Sequence, residues 1–399
     1  MHLKKTVDWR DKTPPKFGHA MLEYFPFDAG YINLNHGSYG SLPIPVVDAC
    51  KAMDAEAESN PDRWIRFTYY PRLTNVRERV AALIGAKTDE CVLVPNASHG
   101  ISTVLRNIEW QKDDIIVTFN TTYGSVARAA RYISDAPPHP TVSELVLHFP
   151  TTPAEVIARF REHLRRLPRK TNQKIVAIVD KLVQVCKDEG ALSLIDAAHS
   201  IGQEPNLDMS KADPDFWVSN LHKWAYAKRS CAVLYVPLRN QHLIKSSFPV
   251  SAAYISPANR TGPNFVEQFD CAFSSLFTLD FRQWLGGEEK INAYCRQILG
   301  TVGMVMDRTG EMTLNMVNVQ LPLPRNLEPK AAVMEKLKQK LILERNMFSY
   351  VYFSEETGWW TRCSAQVWNE VGDFEKLGKA LIEVCSEIVH KLAEVTSKL

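Results

Sequence analysis

Between about residue 90 and residue 236 the chain alternates short, continuously apolar runs with longer stretches whose apolar residues recur every three to four positions. "CVLVP", "DDIIVTFN", "SELVLHF", "KIVAIVD", "ALSLID" and the runs near 215 and 231 have the length of strands and lack a polar face, as strands buried on both sides require. "ISTVLRNI", "TYGSVARAARYIS", "TPAEVIARFREHLRRL" and "KLVQVCKDEG" lie between them and carry the helical period. This alternation predicts an α/β fold with a mostly parallel seven-stranded sheet between helices. Upstream, "IPVVDACKAMDAEAESN" and "TNVRERVAALIGA" read as helices flanking the aromatic, arginine-bearing "PDRWIRFTYYPRL". Beyond 285 the pattern becomes helix-rich, with strands at "TLNMVNVQLPLP" and "WWTRCSAQVW", which predicts a smaller α+β domain. The expected divisions are an N-terminal arm and loop over 1–40, a large domain over 41–284 and a small C-terminal domain over 285–399.

One junction is physically awkward. "KIVAIVD" runs into "KLVQVCKDEG" at 180–181 with no residue left to turn, although strand-to-helix connections take roughly 2–6 residues. A loop omitted from the sequence is expected there, in preference to a misplaced helix start.

Composition narrows the class of protein. With 399 residues, 45% of them hydrophobic, the chain can bury a large core. Its 47 basic and 45 acidic residues nearly balance, so no field favours nucleic acid. No apolar run approaches the roughly 20 residues that span a bilayer, and the charged, proline-bearing start does not read as a signal peptide; no membrane association is expected, and the cytosol is the expected compartment. The eight cysteines lie far apart without metal-ligand spacing and are expected to be reduced and mostly buried, with no metal bound.

Candidate chemistry falls in the loops that follow the strands, where open α/β sheets bind ligands. "NASHG" offers a helix start whose amides, from Ala97 to His99, and Ser98 hydroxyl make a phosphate cradle; an ordinary N-cap is the plainer alternative. Asp196 ends an apolar strand in "DAAHS" and needs a donor, for which a protonated heterocyclic nitrogen would serve; capping is the alternative. In "SNLHKW", Lys223 sits between two apolar runs. Lysine forms Schiff bases with carbonyls, though a lone lysine is otherwise a snorkelling surface residue. Asn220 and His222 flank it within reach of the same phosphate, and Tyr123 in "TTYGS" offers either an aromatic cover with a reactive hydroxyl or a core tyrosine. Together these groups match the needs of pyridoxal phosphate.

"NLNHGSYG", "VLVPNASHGISTVLRNI", "TTYGS", "LIDAAHSIG", "DPDFWVSNLHKW" and "WWTRCSAQVW" resemble the class V aminotransferase family over about residues 17–390. Within it the likeness is to the fungal isopenicillin N epimerase-like branch, which includes hercynylcysteine sulfoxide lyases of the ergothioneine pathway. The resemblance implies a fold-type I homodimer with active sites at the subunit interface. It also implies Lys223 as the internal aldimine, Asp196 as partner of the pyridine nitrogen and His199 as a contact to the phenolic oxygen. Ser98, Asn220 and His222 would hold phosphate, with Ala97 and His99 beside them. Tyr123 would cover the ring and donate a proton. Arg362 would grip a substrate carboxylate, and Asn35, His36 and Tyr39 would line the substrate end of the pocket.

The chain departs from that pattern in places. A serine- and proline-bearing loop expected after "KIVAIVD" is lacking, as is an aromatic-x-Gly-Thr segment near 270–271; both are expected to be mobile active-site loops. Lys228 and Ser230 stand where relatives often carry proline and glycine. The branch favours a C–S lyase acting by β-elimination on a small amino acid. A cyclase or other replacement enzyme of fungal secondary metabolism, an epimerase and an aminotransferase are the alternatives, and a cofactor-free scaffold is the least favoured.

Overall fold

In the computed structural model, which describes Trp9 and residues 11–179, 181–251, 253–270, 280–300 and 313–396, the seven apolar runs form one sheet. The strands are β1 (Cys91–Val94), β2 (Ile115–Phe119), β3 (Thr141–Leu145), β4 (Ile175–Val179), β5 (Leu192–Asp196), β6 (Phe216–Asn220) and β7 (Ala232–Tyr235). Their order is β1-β7-β6-β5-β4-β2-β3; β7 runs antiparallel to both neighbours and the other pairs are parallel. Strands β1, β2, β4, β6 and β7 are buried along their whole length, which is why they carry no polar alternation.

Helices α1 (Ala97–Asn107), α2 (Gly124–Asp135), α3 (Pro153–Arg166) and α4 (Val183–Asp188) connect successive strands. Their starts follow local rules. Thr152 and Glu155 form a reciprocal capping box at α3, with Pro153 in the first turn. Helix α1 buries Ala97, Gly100, Ile101, Val104 and Leu105, one face at helical spacing, against a core that includes Ile116, Val176, Val218 and Leu234.

Two local expectations change. The strand expected over "SELVLHF" lies earlier, at Thr141–Leu145, because its parallel register with β2 pairs Ile115 with Thr141 and Phe119 with Leu145. At the awkward junction α4 begins at Val183, with Leu182 as its N-cap, two residues later than the helix expected from Lys181; residue 180 lies outside the described residues. The connection expected near 270–271 reaches outside the described residues.

The chain divides into two compact units, Val46–Thr278 and a second made of Met1–Pro45 with Leu279–Leu399. The sheet above belongs to the first. In the second, strands Tyr350–Ser354, Gly358–Ser364 and Met316–Gln320 form an antiparallel sheet in that order, and Ile32–Asn33 pairs in parallel with Met347–Phe348. The expected N-terminal arm is thus tied by backbone hydrogen bonds to the C-terminal part. An aromatic cluster of Trp9, Tyr24, Phe25, Phe281, Trp284 and Trp368 packs within this unit. No described helix is long and apolar enough to cross a membrane.

Gly100 lets α1 approach the sheet: a Cβ there would stand 2.8 Å from Val218 Cγ1. Gly100→Ala is expected to destabilise the protein by about 1–3 kcal/mol, the usual cost of overpacking, and Val218→Ala in the same chain to recover part of it. Chemical denaturation of the single and double variants measures both.

Candidate active site

Ala232 on β7 pairs with Val94 on β1 and with Asn220 on β6, so those two strands finish level. The buried Asn220 uses this proximity: its Oδ1 accepts the Ala97 N–H at 2.9 Å, fastening the start of α1 to the end of β6. Asn96 caps the same helix, its Oδ1 accepting from the His99 N–H at 2.9 Å. The amides of Ala97 and His99 are therefore occupied within the chain, and the His99 ring packs beside Phe248 with its pKa lowered by burial. The expected anion cradle is narrower than the whole "NASHG" run. It centres on Ser98, whose Oγ lies 2.7 Å from Ser125 Oγ, so that hydroxyls from the first turns of α1 and α2 meet at two positive helix ends.

Asp196 ends β5, in register with Val218. Burial raises its pKa, and the Ala198 N–H, 3.3 Å from Oδ1, and the Lys223 charge partly offset that effect. Beyond β6 the chain turns into the short helix α5 (Leu221–Trp224). The N–H groups of Leu221 and His222 and the His222 Nδ1 all reach the Cys231 carbonyl, which anchors this turn. Because the Cys231 carbonyl can only accept, His222 Nδ1 carries the proton of a neutral ring and its Nε2 is then an acceptor; burial lowers the His222 pKa.

The turn places Lys223 Nζ 3.0 Å from His199 Nε2, while Trp224 Nε1 donates to His199 Nδ1 at 3.0 Å. Tyr123 stands immediately before α2 and is 66% exposed, which excludes the core-tyrosine alternative. Ser230 adopts φ 72, the left-handed region that favours glycine, and Lys228 pairs with Asp54 at 3.3 Å.

In the second unit, Arg362 lies opposite Tyr350 in the antiparallel sheet, its guanidinium 5.3 Å from that ring's centroid. Its Nη2 donates to Ser38 Oγ at 2.8 Å, and Ser38 Oγ donates to Asn35 Oδ1 at 2.7 Å. The "NHGSYG" stretch, expected as a loop, contains a helical turn over His36–Tyr39. His36 is buried edge-on against Trp368 and serves the packing of that turn, whereas Tyr39 is largely exposed. Three participants were not expected: Ser38, Ser125 and Trp224. Ser38 and Trp224 adjoin Tyr39 and Lys223, and Ser125 lies two positions beyond Tyr123, but only the fold reveals their partners.

The family model for aminotransferase class-V matches residues 40–249, slightly more than half of the chain. The L-cysteine desulfhydrase-like protein lolT1 of Epichloe uncinata is 30% identical, covering 94% of this chain and 97% of that protein. The chain belongs to the class-V aminotransferase family. The hercynylcysteine sulfoxide lyase of Schizosaccharomyces pombe is 29% identical over 93% of this chain and 98% of its own length. The match to lolT1 spans 446 aligned positions, more than the 399 residues present, so gaps in this chain fall within it. Among solved structures, the cystine C–S lyase C-DES in complex with cysteine persulfide superimposes with a TM-score of 0.68 at 17% identity, covering 90% of this chain and 99% of that one. That likeness supports the fold.

The protein is therefore a fold-type I enzyme dependent on pyridoxal phosphate, and its residues fit that cofactor. Lys223 offers an amine for the aldehyde, Asp196 a desolvated carboxyl for the pyridine nitrogen, and Ser98 a hydroxyl at a helix start for phosphate. Raising a carboxyl pKa on folding costs stability above its ordinary titration range and costs nothing well below it. Asp196→Asn should thus raise the melting temperature of the cofactor-free protein at pH 7 but not near pH 3. It should also weaken cofactor affinity by roughly 10- to 100-fold, the scale of a hydrogen bond to a charged group. Melting curves at the two pH values and cofactor titration test both arms.

Proposed function

We propose that this protein is a C–S lyase that cleaves cysteine or an S-substituted cysteine by β-elimination. The observation that carries the reading is near-full-length similarity to lolT1 and to hercynylcysteine sulfoxide lyase, in a chain that sets Lys223 beside His199 and Asp196 at the strand ends. For an S-substituted cysteine, one water is consumed overall, and thiol, pyruvate and ammonia are released.

When bound, pyridoxal phosphate supplies an electron sink that loosens the bonds at the substrate α-carbon. Asp196 would hold its ring nitrogen and Ser98 its phosphate. The Lys223 amine would be the group that holds and moves the substrate α-proton. Tyr123, exposed beside the start of α2, gives its hydroxyl proton to the departing sulfur. In the second unit, Ser38 steadies the Arg362 guanidinium, the group that the family resemblance assigns to the substrate carboxylate.

Sulfur transfer through a protein thiolate is less well supported. Such a thiolate needs a depressed pKa, whereas among the described cysteines burial raises that of Cys50 and pushes Cys91, Cys186, Cys231, Cys295, Cys363 and Cys385 up to about 12. The seven described cysteines are free, which supports the cytosol as its compartment. We further place the active form as a homodimer, supported by the exposed Ile65, Phe67 and Tyr70 along a π-helical turn and the following helix.

Incubation with cysteine and a series of S-alkyl cysteines and their sulfoxides is expected to release pyruvate in step with the sulfur product. A keto acid that retains its sulfur would instead mark an aminotransferase, and α-deuteration without cleavage an epimerase. Arg362→Lys should raise KM roughly tenfold or more, as loss of a bidentate fork predicts, with a smaller effect on kcat.

A further inference from the structure

We propose that Trp224 is a positioning residue: its indole N–H fixes the tautomer of His199, and that tautomer holds the Lys223 amine in its unprotonated, aldehyde-reactive form. The proposal rests on the assignment of Lys223 as the cofactor lysine. It adds what governs that lysine before the cofactor arrives.

Indole nitrogen donates and has no lone pair to offer. With Trp224 Nε1 at 3.0 Å, His199 Nδ1 must present its lone pair, so a neutral ring carries its single proton on Nε2. A doubly protonated ring would set two N–H groups against each other and is disfavoured. The Nε2 proton faces Lys223 Nζ at 3.0 Å. An ammonium has three donors and no acceptor, so this contact is a hydrogen bond only when Nζ is a neutral amine.

The surroundings show what Trp224 works against. Asp196 at the end of β5 attracts a charged Lys223, whereas the charges of Lys223 and Arg229 both lower the His222 pKa on the lysine's own segment. Without the indole donor, His199 is free to move its proton to Nδ1 and accept from an ammonium. His199 and Asp196 would then both favour the charged lysine.

The geometry is held from behind. Trp224 is fully buried, and Gly202, at φ +88, admits its backbone: a Cβ at 202 would lie 2.6 Å from the Trp224 carbonyl oxygen. The turn from Asp196 to Gln203 and the helix carrying Lys223 therefore meet as closely as glycine allows. Gln203 Nε2 adds a hydrogen bond to the His199 carbonyl at 2.8 Å.

The test uses full-length protein stripped of cofactor. Acetylation of Lys223 by dilute acetic anhydride is followed against pH by peptide mass spectrometry, in the wild type and in Trp224→Phe. Loss of the indole donor is expected to shift the Lys223 midpoint upward by about one pH unit, leaving roughly tenfold fewer free amines below it. An unchanged or lower midpoint, in a variant that melts like the wild type, overturns the proposal. Should Trp224→Phe fail to fold, the nitrogen-15 spectrum of histidine-labelled wild type decides by itself: the proposal requires His199 protonated at Nε2 alone, and protonation at Nδ1 refutes it. Cofactor binding is read separately from the visible absorption of the reconstituted wild type. Its absence would sink the assignment of the lysine without altering either tautomer result.

Discussion

The contact between Lys223 Nζ and His199 Nε2 depends on two parallel strands ending side by side in a buried sheet. Asp196 closes β5 and Asn220 closes β6, and each strand delivers a polar side chain three residues beyond its last residue. A slip in the pairing of Asp196 with Val218 would part the two loops. The burial of β6 and β7 along their whole length holds that register, and Gly202 lets the loops close upon each other. Core packing and the candidate chemistry are therefore one problem in this unit. The strands are buried so that their ends are immobile, and the groups that must meet stand on those ends.

The region after the lysine carries backbone strain. Tyr226 and Ser230 both have positive φ, at 58 and 72, and Tyr226 is fully buried. Side chains with a Cβ pay conformational energy there, a pattern found where the surrounding structure overdetermines a turn. Here the surrounding structure is the Cys231 carbonyl, which gathers the Leu221 and His222 amides and the His222 ring. The turn is held from the strand that follows it, so the position of Lys223 is fixed from both sides.

Much of this was legible in the sequence because it is local. Apolar runs named six of the seven strands and misplaced β3, which is polar and partly exposed; helical periods named their connections, and the polar residues just past the strand ends named Ser98, Asp196, His199 and Lys223. What escaped notice is non-local. Ser38 meets Arg362 across 324 positions, and the pairing of Ile32–Asn33 with Met347–Phe348 joins the chain's start to its end. No periodicity encodes such contacts. The role of Trp224 was hidden differently: a tryptophan after a lysine reads as core, and only its distance to Nδ1 shows that its N–H is used. The packing of the buried His36 ring against Trp368 is of the same non-local kind as the Ser38 contact.

The chemistry proposed for this protein depends first on Lys223 as the attachment point of the cofactor. Borohydride reduction of the protein after incubation with pyridoxal phosphate, followed by peptide mass mapping, tests this most directly. The label is expected on the peptide carrying Lys223 and nowhere else in stoichiometric amount. Stoichiometric label on another lysine, or none on a fully folded protein, would contradict it.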